Sequence, residues 1–209
     1  MGNTRFLLRL GIIAGPFYLA LGVLQGLLRE GFDFSRHSLS VLANGPGGWL
    51  QTANFVLSGL MVIAAATGFR RVLAPDGRAL SLILGGFGVG MLLGAVFPAD
   101  PVDGFPPGTP LGFPTSISTP GLVHFAAGAL GFTMLGLSGL AAAGVMSRRN
   151  ERSLARLSFI AGVAVLLAFA GGFALGGAGI LGIWLAVIVG WAWLAFMSLH
   201  LYRQVPGPN

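Results

Sequence analysis

The chain contains no cysteine and no lysine, and it carries few charges of either sign. The absence of cysteine excludes disulfides, thiolate metal sites and cysteine nucleophiles. Only 9% of the residues are charged, whereas soluble domains carry about 25%. So few charges do not suit a surface that faces water, but they suit a surface that faces lipid.

Apolar sequence is abundant instead, with 55% hydrophobic residues and a mean hydropathy of +0.84. A helix of about 20 apolar residues crosses a bilayer core about 30 Å thick. We therefore expect an all-α, polytopic transmembrane helix bundle that forms one domain over residues 1–209. The first apolar segment is too long for a signal peptide and lacks a small-residue cleavage site. The six predicted spans are 6–28, 49–69, 79–97, 121–145, 157–175 and 180–201.

The arginines are divided unevenly between the two sides of such a bundle. Ten lie near the termini and in the connections around 70–78 and 148–156, whereas only Arg29 and Arg36 lie in the opposite connections. The positive-inside rule then predicts cytoplasmic termini and outward loops at 29–48 and 98–120. The location that this predicts is the bacterial cytoplasmic membrane. Because the arginines form short clusters between apolar runs, the net charge of +6 does not indicate a nucleic-acid partner.

Small residues recur at helical spacing in the predicted spans. They favour close helix packing, because in lipid it is small side chains that let two backbones approach. No phosphate-binding loop or dinucleotide fingerprint accompanies them. The clearest rows are Gly11, Gly15, Gly22 and Gly26 on the first span, and Gly86, Gly90 and Gly94 on the third.

The first outward loop and the start of the second span hold most of the polar side chains. Gln51, Asn54 and Ser58 share one helical face, since they stand at i, i+3 and i+7. Polar groups at membrane depth need partners, so this face should point into the bundle. There it would either form hydrogen bonds between helices or form part of a ligand site. The candidate ligand-binding residues in this region are Asp33, Arg36, Ser38, Ser40, Asn44, Trp49, Gln51 and Asn54. Asp103, in the second outward loop, is a further candidate.

The second outward loop contains seven of the twelve prolines. Proline stiffens the chain, so we expect this loop to fold over the outer mouth of the bundle, with Phe97, Phe105 and Phe113 covering apolar surface. His124 follows on a small, polar helical face, so it should point inward near the same mouth.

Three stretches resemble a bacterial membrane family catalogued as domain of unknown function 998. They are DFSRHSLS at 33–40, NGPGGWLQTANF at 44–55 and FPADPVDGFPPGTP at 97–110. The resemblance extends over nearly the whole chain. It implies a multi-helix membrane fold and carries no established activity.

The candidate catalytic residues are His37, Asp100 and His124, which we expect to converge in one polar pocket. Two histidines and an aspartate could bind a divalent metal that activates water, although their spacing matches no known metal motif. An Asp–His pair could instead perform acid–base chemistry without metal. Either version would act on a lipid or isoprenoid-like substrate, with Arg36 on its head group.

Two other classes of function compete with an enzyme. A transporter or small-molecule binder would suit the glycine-rich helices, but no inverted repeat or mid-membrane charge points to transport. An accessory protein would use the outer loops as a docking surface. Haem is disfavoured, because His124 and His200 lie at opposite ends of the predicted bundle and no motif supports a His37–His124 pair. Membrane lipids are the expected partners, and the pattern leaves the oligomeric state open.

Overall fold

A computed structural model describes residues 2–175 and 179–206. It confirms the all-α prediction: this part of the chain contains six helices that are long and apolar enough to cross a membrane, and no regular strand. A short 3-10 helix, Leu39–Ala43, lies in the first loop. The six long helices are α1 Gly2–Leu28, α2 Trp49–Val72, α3 Arg78–Val96, α4 Thr119–Arg148, α5 Arg152–Ala174 and α6 Ile180–Gln204.

The helices form a closed ring in which each packs on its neighbours in sequence and α6 returns to pack on α1. The long connections 29–48 and 97–118 therefore lie at one end, here called the loop end. The short turns 73–77 and 149–151 lie at the other, here called the arginine end. Large apolar side chains such as Leu82, Leu167 and Leu181 remain 62–71% exposed on the outside of the ring, as a lipid-facing surface requires.

Glycines set the closest helix contacts. A Cβ built on Gly59 would lie 2.9 Å from the carbonyl oxygen of Gly88, and one on Gly88 would lie 2.7 Å from that of Gly59. On α3, a Cβ at Gly90 would lie 3.1 Å from both the Ala127 oxygen and the Gly131 Cα. The predicted role of the α3 glycine row in close packing is thereby confirmed at Gly90, whereas Gly59 and Gly88 were not among the predicted glycines.

The arginine end is tied together by polar contacts between α1 and α6. Arg9 donates from Nη2 to the Tyr202 hydroxyl at 2.9 Å, and the Arg5 guanidinium lies 4.3 Å from the centre of the same ring. Nearby, His200 on α6 pairs with Glu151 at 2.7 Å. His200 is thus part of this end of the fold and lies far from the loops.

Candidate functional site

His37 joins the two long loops. Its Nδ1 accepts a hydrogen bond from the Asp33 backbone N–H at 2.9 Å, and its Nε2 lies 3.1 Å from the Asp103 carbonyl oxygen. Because a carbonyl only accepts, Nε2 carries the proton and donates. The ring is 1% exposed and packs between Phe32 and Phe105. Both nitrogens are therefore occupied within the protein.

Arg36 and Asp103 form a second link between these loops. The arginine donates from Nε to Oδ2 at 2.8 Å and from Nη2 to Oδ1 at 2.5 Å, a two-point geometry that fixes both side chains. The Arg36 hydrogen bonds, the Gly112 N–H and the nearby Arg36 charge lower the pKa of Asp103 to about 2. Asp33 instead accepts from the Ser35 N–H and hydroxyl, which lowers its pKa.

Phe105 anchors the proline-rich loop, although nothing in the sequence distinguished it from Phe97 and Phe113. Its ring is fully buried and lies 5.2 Å from the Arg29 guanidinium. Arg29 donates to the carbonyl oxygens of Leu42 and Asn44 at 3.2 and 2.6 Å. Partial burial lowers the pKa of Arg29. Arg29 thus closes the end of the 3-10 helix and holds the first loop against the second.

Only part of the proline-rich loop covers the bundle as predicted. Ala99 and Phe105 are buried, whereas Leu111 and Phe113 are 77% and 68% exposed. The expectation that Phe113 covers apolar surface is wrong, since its ring is exposed. The residue before it, Gly112, donates its N–H to Asp103 rather than packing on the bundle.

Asp100 caps the start of α4. Its carboxylate accepts from the Ser118 N–H at 3.0 Å and from the Ser118 hydroxyl at 2.5 Å, and the Ser118 Oγ accepts from the Gly121 N–H at 3.1 Å. A negative group at a helix N-terminus is favoured by the helix dipole and the free N–H groups. A Cβ on Gly121 would overlap Oδ2 of Asp100, so the glycine makes room for this cap.

Gln51 and Asn54 face inward as predicted, and they join α1 to α2. Oε1 of Gln51 accepts from Nε2 of Gln25 at 3.0 Å and from Nδ2 of Asn54 at 3.2 Å. Asn54 also donates to the Tyr18 carbonyl oxygen at 3.0 Å, and Ser58 donates to Asn54. Gln51, Asn54 and Ser58 are all fully buried. The sequence left two alternatives for these residues, hydrogen bonds between helices or a ligand site, and these contacts fit the first.

A cavity of about 130 Å³ lies in the half of the bundle nearest the loop end. The whole recess, including the part that is open to solvent, has a volume of about 910 Å³. All six helices and the first loop contribute to its wall. The residues that line it are Tyr18, Ser38, Leu39, Ser40, Phe55, Phe87, Gly90, Met91, Gly94, His124, Phe125, Ala127, Gly128, Gly131, Phe132, Phe169, Ile183, Trp184, Val187 and Trp191.

The two ends of the cavity differ in character. Its deep end is aromatic, with the Trp191 ring centre 5.3 Å from that of Tyr18 and 5.4 Å from that of Phe87. At the loop end lie Ser38 and Ser40, whose hydroxyls are 2.9 Å apart, and His124. An apolar space with a few polar groups at one end is typical of a ligand site.

His124 is the one candidate catalytic residue that lines this cavity. Its Nδ1 lies 2.7 Å from the Phe97 carbonyl oxygen, so Nδ1 carries the proton and the neutral ring keeps a lone pair on Nε2. The Gly94 carbonyl oxygen is a further hydrogen-bond acceptor beside this ring. The ring packs on Phe55 and Phe125, which fixes its orientation.

The expected convergence of His37, Asp100 and His124 is wrong. His37 is enclosed between the loops, Asp100 caps α4, and only His124 lies on the cavity. Over residues 2–175 and 179–206, no group of three or more His, Cys, Asp or Glu side chains could hold a metal ion. The geometry therefore gives the three candidates no shared metal, and Asp100 makes its hydrogen bonds with Ser118 rather than with His124.

The other predicted ligand-binding residues separate in the same way. Ser38 and Ser40 line the cavity. Arg36 and Asp103 instead join the two loops to each other, and Asp33 binds Ser35 within the first loop. Trp49 is 69% exposed at the start of α2. The Asn44 carbonyl oxygen accepts a hydrogen bond from Arg29.

Sequence reasoning missed the aromatic wall of the cavity. Trp184 donates from Nε1 to the Phe34 carbonyl oxygen at 3.0 Å and so joins α6 to the first loop. Tyr18, Phe87 and Trp191 meet from three helices. Each lies near the middle of its span, where an apolar side chain can equally face lipid, so the sequence contained no specific signal that they meet.

These features define the chain as a multi-pass helical membrane protein whose cavity lies under two interlocked loops. It belongs to the family described as protein of unknown function DUF998, whose family model matches residues 12–200. The family resemblance predicted from the loop motifs is thus confirmed. No curated protein and no solved structure matches the chain.

Proposed function

We propose that this protein binds a lipid or isoprenoid-like molecule in the cavity, with the apolar chain at the aromatic end and the polar head at Ser38, Ser40 and His124. The observation that carries the proposal is the arrangement of the lining, which apart from Tyr18 is apolar except at the loop end. Such a molecule is already present in the surrounding bilayer, so a cavity of this kind would not depend on ligand from water.

The arginine distribution favours an orientation in which the loop end is on the extracytoplasmic side of a bacterial cytoplasmic membrane. The head group would then lie near the outer surface, under the 29–48 and 98–118 loops. His124 would contact it as a hydrogen-bond acceptor at Nε2, because Nδ1 is bound to Phe97. Binding through His124 and two hydroxyls would favour a head group that donates hydrogen bonds.

A cavity-filling variant tests this proposal. A Cβ on Gly128 would meet no atom within 4 Å, and Gly128 lines the cavity, so Gly128→Trp should fill it. Gly144→Trp is the matched control, because Gly144 lies on the same helix outside the cavity and its Cβ would meet only Arg148, at 3.6 Å. We expect mass spectrometry of lipids extracted from purified protein to find a species that the wild type and Gly144→Trp retain and Gly128→Trp loses. Equal retention by all three proteins would refute binding in this cavity.

A second candidate function is acid–base catalysis on the bound molecule. It is favoured by His124, which lines the cavity and, with its proton on Nδ1, has a lone pair on Nε2 that could accept a proton. Wild-type protein in nanodiscs made from total bacterial lipid should then convert a lipid that His124→Gln leaves unchanged. If mass spectrometry finds the same lipids after incubation with either protein, the site only binds.

A further inference from the structure

A second recess lies on the outside of the bundle, between α2 and α3 near the arginine end. It is an open groove of about 400 Å³. Its floor includes Ala66 and Gly85, its apolar sides include Ile63, Leu82 and Val89, and Arg70 lies at its arginine end. From Ser81 to Val89 the helical rise gives the groove a length of about 12 Å.

The groove faces the membrane. Leu82 is 62% exposed and Val89 is 49% exposed, and both belong to a helix that is long and apolar enough to span a bilayer. A Cβ on Gly85 would meet only the Cβ of Ala66, at 3.9 Å, so the floor is open to an incoming chain. In a bilayer, the molecules that reach such a surface are acyl chains.

Arg70 supplies a positive charge to one end of this groove. It is exposed, and in the described part of the chain no carboxylate pairs with it. The nearest turn contains Asp76, but that carboxylate lies 3.8 Å from Arg148. Arg71 and Arg78, also exposed, flank the same turn between α2 and α3, so the local charge favours an anion.

We propose that this groove binds an anionic phospholipid, with one acyl chain along Ala66 and Gly85 and the phosphate on Arg70. The site is separate from the cavity under the loops, since the two share no lining residue. A charged guanidinium at the polar boundary and an apolar groove that runs from it toward the membrane centre match the two parts of such a lipid. Its position across α2 and α3 would make the lipid a brace for the turn at 73–77.

Native mass spectrometry of protein released from nanodiscs with equal phosphatidylglycerol and phosphatidylcholine tests the proposal. We expect the wild type to retain one phosphatidylglycerol. Arg70→Gln should lower that retention about fivefold, equivalent to about 1 kcal/mol for one arginine at the membrane surface. Gly85→Leu should lower it by filling the groove.

Matched controls separate a site from general attraction to a basic surface. Arg156→Gln removes the same charge from the arginine end on α5, and Gly171→Leu adds the same side chain where a Cβ would meet nothing within 4 Å. Both controls should retain the lipid as the wild type does. Equal losses for Arg70→Gln and Arg156→Gln, equal retention of the two lipids by the wild type, or no retained lipid would each overturn the proposal. If Gly85→Leu does not fold, Arg70→Gln against Arg156→Gln still decides it.

Discussion

Arg36 and Asp103 are 67 residues apart in sequence, yet they form a two-point ion pair that joins the 29–48 loop to the 97–118 loop. The same Asp103 uses its carbonyl oxygen to accept from His37 and from Arg36. Asp103 thereby binds both Arg36 and His37 and holds the first loop against the second. The loops form one cover rather than two independent connections.

The first prediction concerns the pH dependence of this cover. The pKa of Asp103 is lowered from 3.8 to about 2 in the folded protein, so the pair stabilises the fold fully above the ordinary pKa. That stability is lost as the pH falls through the lowered pKa. Asp103→Asn should therefore lower the melting temperature by a few degrees at about pH 6, and the difference should shrink by about pH 3. Thermal unfolding in detergent measures it.

Glu30→Gln is the control for the Asp103 variant. Glu30 is exposed in the 29–48 loop, to which Asp103 binds, and makes no hydrogen bond or ion pair within the described residues. Its removal should change the melting temperature little at either pH. A constant difference between wild type and Asp103→Asn across the range would contradict the ion-pair explanation.

The second prediction separates the roles of the two buried histidines. His37→Phe keeps a ring between Phe32 and Phe105 but leaves the Asp33 N–H and the Asp103 oxygen without partners. It should cost about 1–3 kcal/mol of stability and leave lipid retention in the cavity unchanged. His124→Phe should reduce that retention, because the polar contact at the loop end is lost. Denaturation measures the free energy of unfolding and lipid extraction measures the retained lipid, both on the same preparations. If only His37→Phe lost the lipid, His37 rather than His124 would be the ligand-binding histidine.

Helical periodicity predicted the direction of the helical side chains in this site, but it could not predict the conformation of the loops. The phases of Gln51, Asn54 and His124 followed from the spacing of residues along helices, because a helix fixes direction once its apolar face is known. All three are buried. The fold class followed from span length and charge alone.

The failed part of the prediction concerns His37 and Asp100. Both lie in irregular loops, where no repeat relates the position of a residue to the direction of its side chain. His37 faces Phe105 because two long loops interlock, and Asp100 turns to Ser118 because the first N–H groups of α4 need an acceptor. The second reason was visible in the sequence, since Ser118 and Pro120 mark the start of a helix.

The third prediction tests the buried amide network between α1 and α2. Gln51→Leu removes the acceptor shared by Gln25 and Asn54. Only the bond from Gln25 joins two helices, since Asn54 lies on α2 with Gln51. A hydrogen bond between membrane helices contributes about 0.6 kcal/mol on average and up to about 1.7, so we expect a cost in that range. Thr52→Val is the control, because its hydroxyl makes only a 3.4 Å contact within α2. Equal unfolding free energies for Gln51→Leu and the wild type would show that the network does not join the helices.

The fourth prediction is the orientation of the bundle in the membrane. The chain has no cysteine, so one cysteine at Thr109 or at Ser153 reports the side of each end without background. With the arginine end in the cytoplasm, an impermeant maleimide should label Thr109→Cys in intact spheroplasts and Ser153→Cys only after lysis. The reverse pattern would place the cavity mouth on the cytoplasmic side.

The fifth prediction compares two Gly-Phe-Pro segments in one loop. Phe105, between Gly104 and Pro106, is fully buried against Phe32, His37 and Arg29, whereas Phe113, between Gly112 and Pro114, is 68% exposed. Phe105→Ala should therefore cost about 3–5 kcal/mol, as removal of a buried ring does. Phe113→Ala should change stability by about 0.5 kcal/mol or less. Because the two phenylalanines have the same neighbours in sequence, a difference in unfolding free energy between the variants reports the difference in burial. Similar costs for both variants would mean that the second half of the loop also packs on the bundle.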